Sequence, residues 1–311
     1  MCRREDDCLA PVPRMLMRLS MLALTLAVAA CREDARSATP DGKPAILPSL
    51  MQSASTNADA RPPAVPFDSA TPIIVARADA SWPHDTSAYT QGLILDDGRL
   101  LESTGLEGRS ELRELDRRTG LARRHFSLPH EVFGEGLAAL GGRLYQLTWR
   151  AGRGYVYDAR TLRLVDSVSY PGEGWGLASD GNHMYLSDGT SEIRVLDPHG
   201  FRELRRIRVT EAGKPVWMLN ELEFVRRELW ANIYETNFIA RIDPSTGHIV
   251  GWIDLSGLLT PTERAGVEKR GGVANGIAYD SIRDRVLVTG KLWPRMFELG
   301  VTTRSELSQR R

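Results

Sequence analysis

Cysteine and histidine are scarce in this sequence, and neither is arranged as a metal site would require. The 311 residues contain three cysteines, too few for a disulfide framework or a zinc site built from thiolates. The six histidines form no HxH or HExxH pattern, which argues against a catalytic zinc ion. Because 40 basic side chains are balanced by 40 acidic ones, the chain has no net charge with which to attract nucleic acid.

The sequence also lacks the motifs of several large enzyme classes. It contains no P-loop, GxSxG or GxGxxG segment, so neither phosphate binding nor serine hydrolysis is indicated. Its densest basic stretch, RRTGLARRH at 117–125, is typical of a solvated outer strand and turn. What the chain does have is the composition of a folded protein, with 42% hydrophobic residues, enough to bury a sizeable core.

The longest apolar run is short and lies near the N-terminus. It covers residues 19–30, follows Arg14 and Arg18, and stops at Cys31. This is too short for a permanent membrane-spanning helix, whereas a basic segment, an apolar core and small residues before a cleavage point are typical of a secretory signal. The residues VAAC at 28–31 resemble a bacterial lipobox, so we expect residues 1–30 to be removed and Cys31 to be lipidated. A plain signal peptide and an ordinary buried cysteine are the alternatives.

Residues 31–70 are rich in Ala, Pro, Ser and Asp and show no apolar periodicity. This composition predicts a flexible tether between the lipid and a folded domain. The signal, the anchor and the tether together predict a periplasmic lipoprotein held at the membrane of a bacterial cell envelope. We further expect a monomer, and we expect residues 306–311 to form a C-terminal tail.

From residue 71 onward the chain repeats itself. Short apolar runs separated by Gly, Asp and Asn turns predict an all-β structure. Five related phrases begin at Gln91, Glu135, Trp175, Asn220 and Asn275. Repeats of about 40–50 residues with short strands are typical of propeller blades. We therefore predict a five-bladed β-propeller over residues 71–305, in which the segment 71–79 completes the last blade and a short helix lies near 261–267.

A propeller brings equivalent positions of its blades to one central axis. The first residues of the five phrases should form a ring at one end of the channel, and a second ring should form where the next strands return to that end. The second ring would consist of Glu102, Trp149, Asp188, Tyr234 and Lys291 with Trp293. A purely structural blade would place small or branched apolar residues there. Carboxylates, amides, a lysine and aromatic rings instead predict a functional pocket.

Short motifs in every blade resemble those of one enzyme family. They include YTQGL (89–93), FGEGL (133–137), GEGWGL (172–177), LNELE (219–223) and VTGKLWP (288–294). In this order they resemble the plant-type glutaminyl cyclotransferases, which also occur in bacteria. The resemblance implies a five-bladed propeller that converts the N-terminal glutamine of peptides or proteins to pyroglutamate and releases ammonia, without a catalytic metal. The sequence leaves open a structural divalent cation among the channel carboxylates.

The same resemblance assigns roles to individual residues. It makes Glu135 the acid that moves protons, and Lys291 and Asn220 the groups that bind or polarise the γ-carbonyl oxygen. Gln91 would hydrogen-bond the amide or amine of the substrate. The pocket wall would consist of Tyr89, Phe133, Trp149, Trp175, Tyr234 and Trp293. An apolar wall would raise the pKa of Glu135 and suit it to general acid catalysis. Each residue also has a structural alternative. Glu135 would cap a turn or pair with Lys291, and Lys291 would form a salt bridge inside the channel. Asn220 and Gln91 would hydrogen-bond backbone groups at a turn or link neighbouring blades.

Two other functions are compatible with the same signal, tether and repeat. One is a non-catalytic scaffold of the envelope, because the propeller fold alone does not confer activity. The other is a metal-dependent lactonase or hydrolase, although a lysine among the channel residues disfavours cation binding. Glu102 and Glu173 receive no firm role, and Asp188 in SDGT is typical of a turn acceptor.

Overall fold

The computed structural model describes residues 70–300, which belong to one compact unit. The predicted signal peptide, the lipidated Cys31, residues 31–69 of the predicted tether and the tail at 306–311 lie outside the described residues. Within residues 70–300, no helix has the length and apolar character needed to cross a bilayer.

Two short strands precede the first three blades. These strands are β1 (Ile73–Val75) and β2 (Ala78–Pro83). Blade 1 contains β3 (Thr90–Asp96), β4 (Arg99–Thr104), β5 (Glu111–Leu115) and β6 (Ala122–Ser127). Blade 2 contains β7 (Gly134–Leu140), β8 (Arg143–Thr148), β9 (Arg153–Asp158) and β10 (Leu164–Ser169). Blade 3 contains β11 (Leu177–Ser179), β12 (Met184–Leu186), β13 (Glu192–Asp197) and β14 (Arg202–Arg208).

A hairpin separates blade 3 from the last two blades. The hairpin pairs β15 (Thr210–Glu211) with β16 (Lys214–Pro215). Blade 4 contains β17 (Leu219–Val225), β18 (Glu228–Ile233), β19 (Phe238–Ile242) and β20 (Ile249–Asp254). Blade 5 contains β21 (Ala274–Asp280), β22 (Arg285–Gly290) and β23 (Arg295–Gly300). Within each blade, the strands that follow one another in the chain pair antiparallel.

The helix predicted near 261–267 is confirmed as α1 (Pro261–Glu268). It begins at a capping box in which the Thr260 side chain accepts a hydrogen bond from the Glu263 N–H. In return, Glu263 accepts from the Thr260 N–H. This exchange satisfies two backbone donors that a helix start otherwise leaves without partners.

The prediction of a five-bladed propeller is confirmed for the described residues. The first strand of each blade lies against the first strands of both neighbouring blades, so β3, β7, β11, β17 and β21 form a closed ring around the axis. Glycines in the repeated phrases allow this close approach. A Cβ atom added to Gly92 would lie 2.5 Å from the Leu137 nitrogen, and one added to Gly136 would lie 2.5 Å from the Leu177 nitrogen.

The prediction that segment 71–79 completes the last blade is wrong in its boundaries. The first part of the segment, β1, pairs parallel with β20 and so extends blade 4. The strand that completes blade 5 is β2, which pairs antiparallel with β23, with Ser81 opposite Phe297. The N-terminal segment therefore joins the last two blades, because its two halves belong to different sheets.

The apolar core is divided among the blade interfaces. Each of five buried clusters in residues 70–300 combines side chains of two neighbouring blades. The cluster between blades 1 and 2, for example, includes Leu101 and Leu112 from one blade and Leu137 and Leu144 from the other. Because apolar contacts hold neighbouring blades together, the ends of the axial strands are free to carry polar residues.

Candidate active site

Polar side chains meet where the innermost strands begin. Gln91, Glu135, Asn220 and Asn275 are each the second residue of an axial strand. The Gln91 side-chain nitrogen Nε2 donates to Glu135 Oε1 at 3.0 Å. Asn275 Nδ2 donates to Gln91 Oε1 at 3.3 Å and to the Thr90 carbonyl at 2.9 Å. The predicted proximity of Gln91, Glu135 and Asn275 is thus confirmed, and Gln91, itself held by Asn275, orients Glu135.

Glu135 is buried and its main chain is held by the preceding blade. Only 2% of the residue is exposed. Its carbonyl oxygen accepts a hydrogen bond from Ser103 Oγ, and Ser103 in turn accepts from Gln146 Nε2 at 2.8 Å. Burial raises the pKa of Glu135 well above its ordinary value, the negative charge of Glu173 raises this pKa further, and the positive charge of Lys291 opposes both. A carboxyl group in this environment holds its proton more strongly and can donate it to a substrate.

Lys291 is the second charged group at this end of the channel. The residue is fully buried, and its Nζ atom has no hydrogen-bond partner within residues 70–300. Nζ lies 4.8 Å from the ring centroid of Tyr89 and 5.1 Å from that of Tyr234. Burial lowers the pKa of Lys291 to about 8, against the attraction of Glu135 and Glu235. A buried amine without an acceptor is costly, so Nζ is available to an oxygen atom of a ligand.

The backbone turns sharply directly after two of these residues. Tyr234 is followed by Glu235 at φ 62°, and Lys291 is followed by Leu292 at φ 62°. A left-handed conformation is unfavourable for a non-glycine residue and is kept only where its surroundings hold it. Here the Lys291 N–H donates to the Val273 carbonyl at 2.8 Å, which holds the turn.

The predicted aromatic residues form two groups. Phe133 packs edge-on against Tyr89 and Trp149, with ring centroids 6.2 Å and 5.6 Å apart, respectively. Trp175 packs edge-on against Tyr234 at 5.8 Å. Edge-on contacts of this kind fix the rings relative to one another and keep water from their faces.

Two charged side chains connect these aromatic groups. Glu173 Oε2 accepts from the indole nitrogens of Trp149 at 2.8 Å and Trp175 at 2.9 Å. On the other side, Lys291 lies against both Tyr89 and Tyr234. These contacts form a closed ring of side chains, here called the aromatic enclosure. It consists of Tyr89, Phe133, Trp149, Glu173, Trp175, Tyr234 and Lys291. Glu135 acts electrostatically on Tyr89 and Tyr234, so it lies beside the aromatic enclosure.

Not every predicted site residue is part of the enclosure. Trp293 is 2% exposed and packs against Phe297 in the apolar cluster between blades 4 and 5. The structure therefore gives this indole a core environment and does not bring it to the other rings. Asp188 accepts from the N–H and hydroxyl of Thr190, as expected of a turn acceptor. Glu102 lies behind the site, bonded to His84 and Thr90.

Asn220 lies at the start of an axial strand, as Gln91 and Glu135 do, and a serine to which the sequence analysis gave no role holds its main chain. The residue is 2% exposed, and its carbonyl accepts from Ser187 Oγ at 2.6 Å. Ser187 also accepts from the Gly176 N–H at 2.8 Å. Ser103 makes the same kind of contact to Glu135 from blade 1. The two serines lie in the segments LLEST (100–104) and YLSDG (185–189), and their equivalent place in the repeat is the signal that could have revealed them.

The sequence reasoning also gave no role to Glu221, which replaces the repeated glycine in the fourth phrase. Its side chain is buried near the axis and accepts from the Leu93 N–H of blade 1 at 3.2 Å. Burial and the charge of Glu223 raise the pKa of Glu221 well above its ordinary value. Within the described part of the chain, no three His, Cys, Asp or Glu side chains are grouped closely enough to suggest a metal site.

The fold and the site together define a five-bladed propeller protein in which a buried carboxyl and a buried lysine lie beside a ring of aromatic side chains. Comparison with known proteins then identifies the family. The sequence pattern of the glutamine cyclotransferase family matches residues 46–301, and this chain belongs to that family.

Two relatives support this assignment. The chain is 43% identical over 223 residues to glutaminyl-peptide cyclotransferase of Arabidopsis thaliana, a match that covers 71% of this chain and 69% of the plant protein. The crystal structure of Myxococcus xanthus glutaminyl cyclase superposes with a TM-score of 0.70 at 36% identity. That match covers 75% of this chain and 100% of the bacterial one.

Proposed function

We propose that this chain converts the N-terminal glutamine of peptides and proteins to pyroglutamate with release of ammonia, and that Glu135 moves the protons. The family assignment supports the reaction. The observation that supports the role of Glu135 is its place beside the aromatic enclosure, buried, bonded to Gln91 and with a raised pKa. The alternative of a non-catalytic scaffold gives no reason to bury a carboxyl and a lysine together at this cost.

The reaction needs no nucleophile from the enzyme. The α-amine of the substrate attacks its own γ-amide carbon, a new carbon–nitrogen bond closes the ring, and the amide nitrogen leaves as ammonia. Glu135, protonated at the start, gives its proton to the departing nitrogen and takes one from the attacking nitrogen, so it ends as it began. The aromatic enclosure would hold the glutamine side chain folded, which lowers the entropy cost of bringing amine and carbonyl together.

Negative charge develops on the γ-carbonyl oxygen during the attack. Lys291 and Asn220 are proposed to stabilise that charge, and the lack of a partner for Lys291 Nζ within residues 70–300 supports this role. Gln91 already donates to Glu135, and we propose that it also binds the substrate's amide or amine. No step requires a metal or another cofactor, although a structural cation in the channel stays a prediction.

We further propose that the mature protein is a monomeric lipoprotein of the periplasm, anchored through Cys31. The pattern of Arg14, Arg18, the apolar run 19–30 and VAAC at 28–31 supports this location. Incorporation of radiolabelled palmitate into the wild type but not into Cys31→Ser is the expected result. Equal labelling of both proteins would refute lipidation at this residue.

Ammonia release from a Gln-initiated dipeptide tests the proposed reaction. We expect the purified wild type to release ammonia, EDTA to leave the rate largely intact, and Glu135→Gln to lower the rate by roughly 10²–10⁴-fold. Glu268→Gln, at an exposed carboxyl of α1, is the matched control and should keep the wild-type rate. An inactive wild type on several such peptides would refute the enzymatic function, and loss of activity in EDTA would favour a metal-dependent hydrolase.

A further inference from the structure

Glu173 connects two tryptophans of the aromatic enclosure that come from different blades. Trp149 follows β8 of blade 2, whereas Glu173 and Trp175 lie in the loop that leads into β11 of blade 3. A single oxygen, Glu173 Oε2, accepts from both indole N–H groups, at 2.8 Å and 2.9 Å. Because an indole nitrogen can only donate, this shared acceptor fixes the angle between the two rings.

The second oxygen of Glu173 accepts a hydrogen bond from an arginine side chain. Arg150 Nε donates to Glu173 Oε1 at 3.0 Å. The guanidinium of Arg150 also lies 3.7 Å from the ring centroid of Trp149. Three donors on two oxygens hold the carboxyl group in one orientation, and the stacked arginine covers one face of the Trp149 indole.

The main chain of Glu173 is held independently of its side chain. Arg194 of blade 3 is 3% exposed and donates to the carbonyl oxygens of Glu173 and Pro171. Its charge is directed at these carbonyls and at Asp188, 3.6 Å away. The carboxylate of Glu173 is therefore presented from a fixed loop, and removing it would not by itself release the loop.

Glu173 also acts on the proposed proton shuttle. Glu135 interacts electrostatically with Glu173, Lys291, Tyr89, Tyr234 and Tyr170. Of the charged groups, Lys291 favours the ionised form of Glu135, whereas Glu173 opposes it and so adds to the effect of burial. The three tyrosine hydroxyls stay neutral, because burial raises the pKa of Tyr89 and of Tyr170 to about 12 and that of Tyr234 upward as well.

We propose that Glu173 is a positioning residue for the cyclisation: one of its oxygens sets the geometry of the two pocket indoles, and its negative charge acts on Glu135. This inference rests on the proposed function of Glu135. It explains why the motif GEGW contains a glutamate. Glu173 accepts from the tryptophan of the same motif, Trp175, and from Trp149 of the preceding blade.

Two substitutions separate the two parts of this role. In Glu173→Gln the amide oxygen can still accept from the indoles, but the charge is gone. The band of the protonated Glu135 carboxyl in infrared difference spectra can be assigned by its loss in Glu135→Gln. We expect this band to titrate roughly 0.5–1 pH unit lower in Glu173→Gln than in the wild type. The alkaline limb of kcat/KM should move in the same direction. In Glu173→Leu the indoles also lose their acceptor, so kcat should fall at least tenfold and tryptophan emission should change.

The possible outcomes are distinct. An unchanged infrared titration in Glu173→Gln, or wild-type kcat in Glu173→Leu, would overturn the inference. If Glu173→Leu fails to fold, the titration of Glu173→Gln still decides. An inactive wild type would refute the proposed reaction instead, whereas an active wild type with an inactive Glu135→Gln and an unaffected Glu173→Gln would refute only the role of Glu173. Glu268→Gln is again the control and should leave the titration unchanged.

Discussion

At the scale of single residues, the site combines groups that are unfavourable for stability. Lys291 is fully buried without a hydrogen-bond partner in the described chain, and Glu135 is buried with a raised pKa. The surrounding rings contribute packing but cannot replace the lost hydration of a charge. Such an arrangement is expected where binding a substrate supplies the missing partners, and it predicts a conflict between activity and stability.

Replacing Lys291 should expose that conflict. A lysine whose pKa falls from 10.5 to about 8 on folding destabilises the protein below pH 8 by roughly 3 kcal/mol, and the effect disappears as pH rises towards 10.5. We therefore expect Lys291→Met to raise the melting temperature at pH 7 and to lower kcat by about 10²–10³-fold. Thermal scans at pH 7 and 10 and the ammonia assay would measure both effects.

A matched control is available on the surface. Lys269, at the end of α1, is exposed, so Lys269→Met should change neither quantity appreciably. A Lys291→Met protein that is less stable than the wild type at pH 7 would contradict the assignment of Lys291 as an unfavourably buried amine.

The residues that the sequence could and could not identify differ in a physical way. The repeat length places Gln91 and Glu135 at equivalent points of neighbouring blades, and the structure confirms that they touch. The repeat could not predict the contacts of Glu173, because its two indole partners come from different blades and their positions depend on the course of a loop. The second ring and the family resemblance predict that Trp293 lines the pocket together with Lys291. The left-handed Leu292 between them turns the chain, and the indole enters the core between blades 4 and 5.

At the scale of elements, the positions of the site residues depend on how closely the axial strands approach. Each of the phrases QGL, EGL and WGL places a glycine directly after a residue of the first ring. At Gly176, an added Cβ would lie 2.0 Å from the Asn220 carbonyl oxygen, a distance at which no side chain can be accommodated. The glycines therefore set the distance between strands, and with it the distance between the side chains that precede them.

Gly136→Ala should move Glu135 away from its neighbours. Its new Cβ would meet the Leu177 nitrogen at 2.5 Å and the Gly176 carbonyl carbon at 2.7 Å, and backbone atoms cannot rotate aside. We expect a large loss of stability, of roughly 3 kcal/mol or more, and loss of ammonia release even where the protein stays folded. Chemical denaturation and the ammonia assay would test this.

The comparison is with a glycine that has open space. Gly266 lies in α1 with nothing within 4 Å of an added Cβ, so Gly266→Ala should stabilise the protein by about 0.5–1 kcal/mol. Wild-type stability and activity in Gly136→Ala would show that the axial strands can separate without consequence, contrary to our expectation.

The boundaries of the first strands show what the repeat could not predict at this scale. The segment TPIIVARAD predicts one strand, because no glycine or proline interrupts it after Pro72. In the structure the Ala76 N–H still pairs with blade 4 through the Asp254 carbonyl, and Ala78 already pairs with blade 5. The division arises from the gap between two blades, which is a property of the closed ring and not of the local sequence.

At the scale of the whole molecule, the ring closes between blade 5 and blade 1, and His84 lies at that junction. Its backbone N–H donates to the Pro294 carbonyl at 2.9 Å. Its ring nitrogens face the Trp293 carbonyl at 3.0 Å and Glu102 Oε1 at 2.9 Å. Because both of these partners are acceptors, the arrangement suits the doubly protonated ring, which donates in both directions.

This junction should make the stability of the whole ring depend on pH. Burial by itself would lower the pKa of His84, but the charge and hydrogen bond of Glu102 outweigh burial and raise it. A histidine with a raised pKa contributes its full stabilisation below the unfolded value of about 6.5, and the contribution is lost as pH rises through the folded value. Glu102 does not contribute to the pH dependence above pH 6, because its pKa is lowered and it stays charged.

We therefore expect the difference in unfolding free energy between the wild type and His84→Gln to be about 3 kcal/mol at pH 6 and to shrink at higher pH. Urea denaturation at intervals from pH 6 to pH 9 would measure it. His199→Gln, at an exposed histidine, should show almost no difference at any pH. A constant difference between the wild type and His84→Gln over the whole range would mean that His84 closes the ring as a neutral side chain, through packing and shape alone.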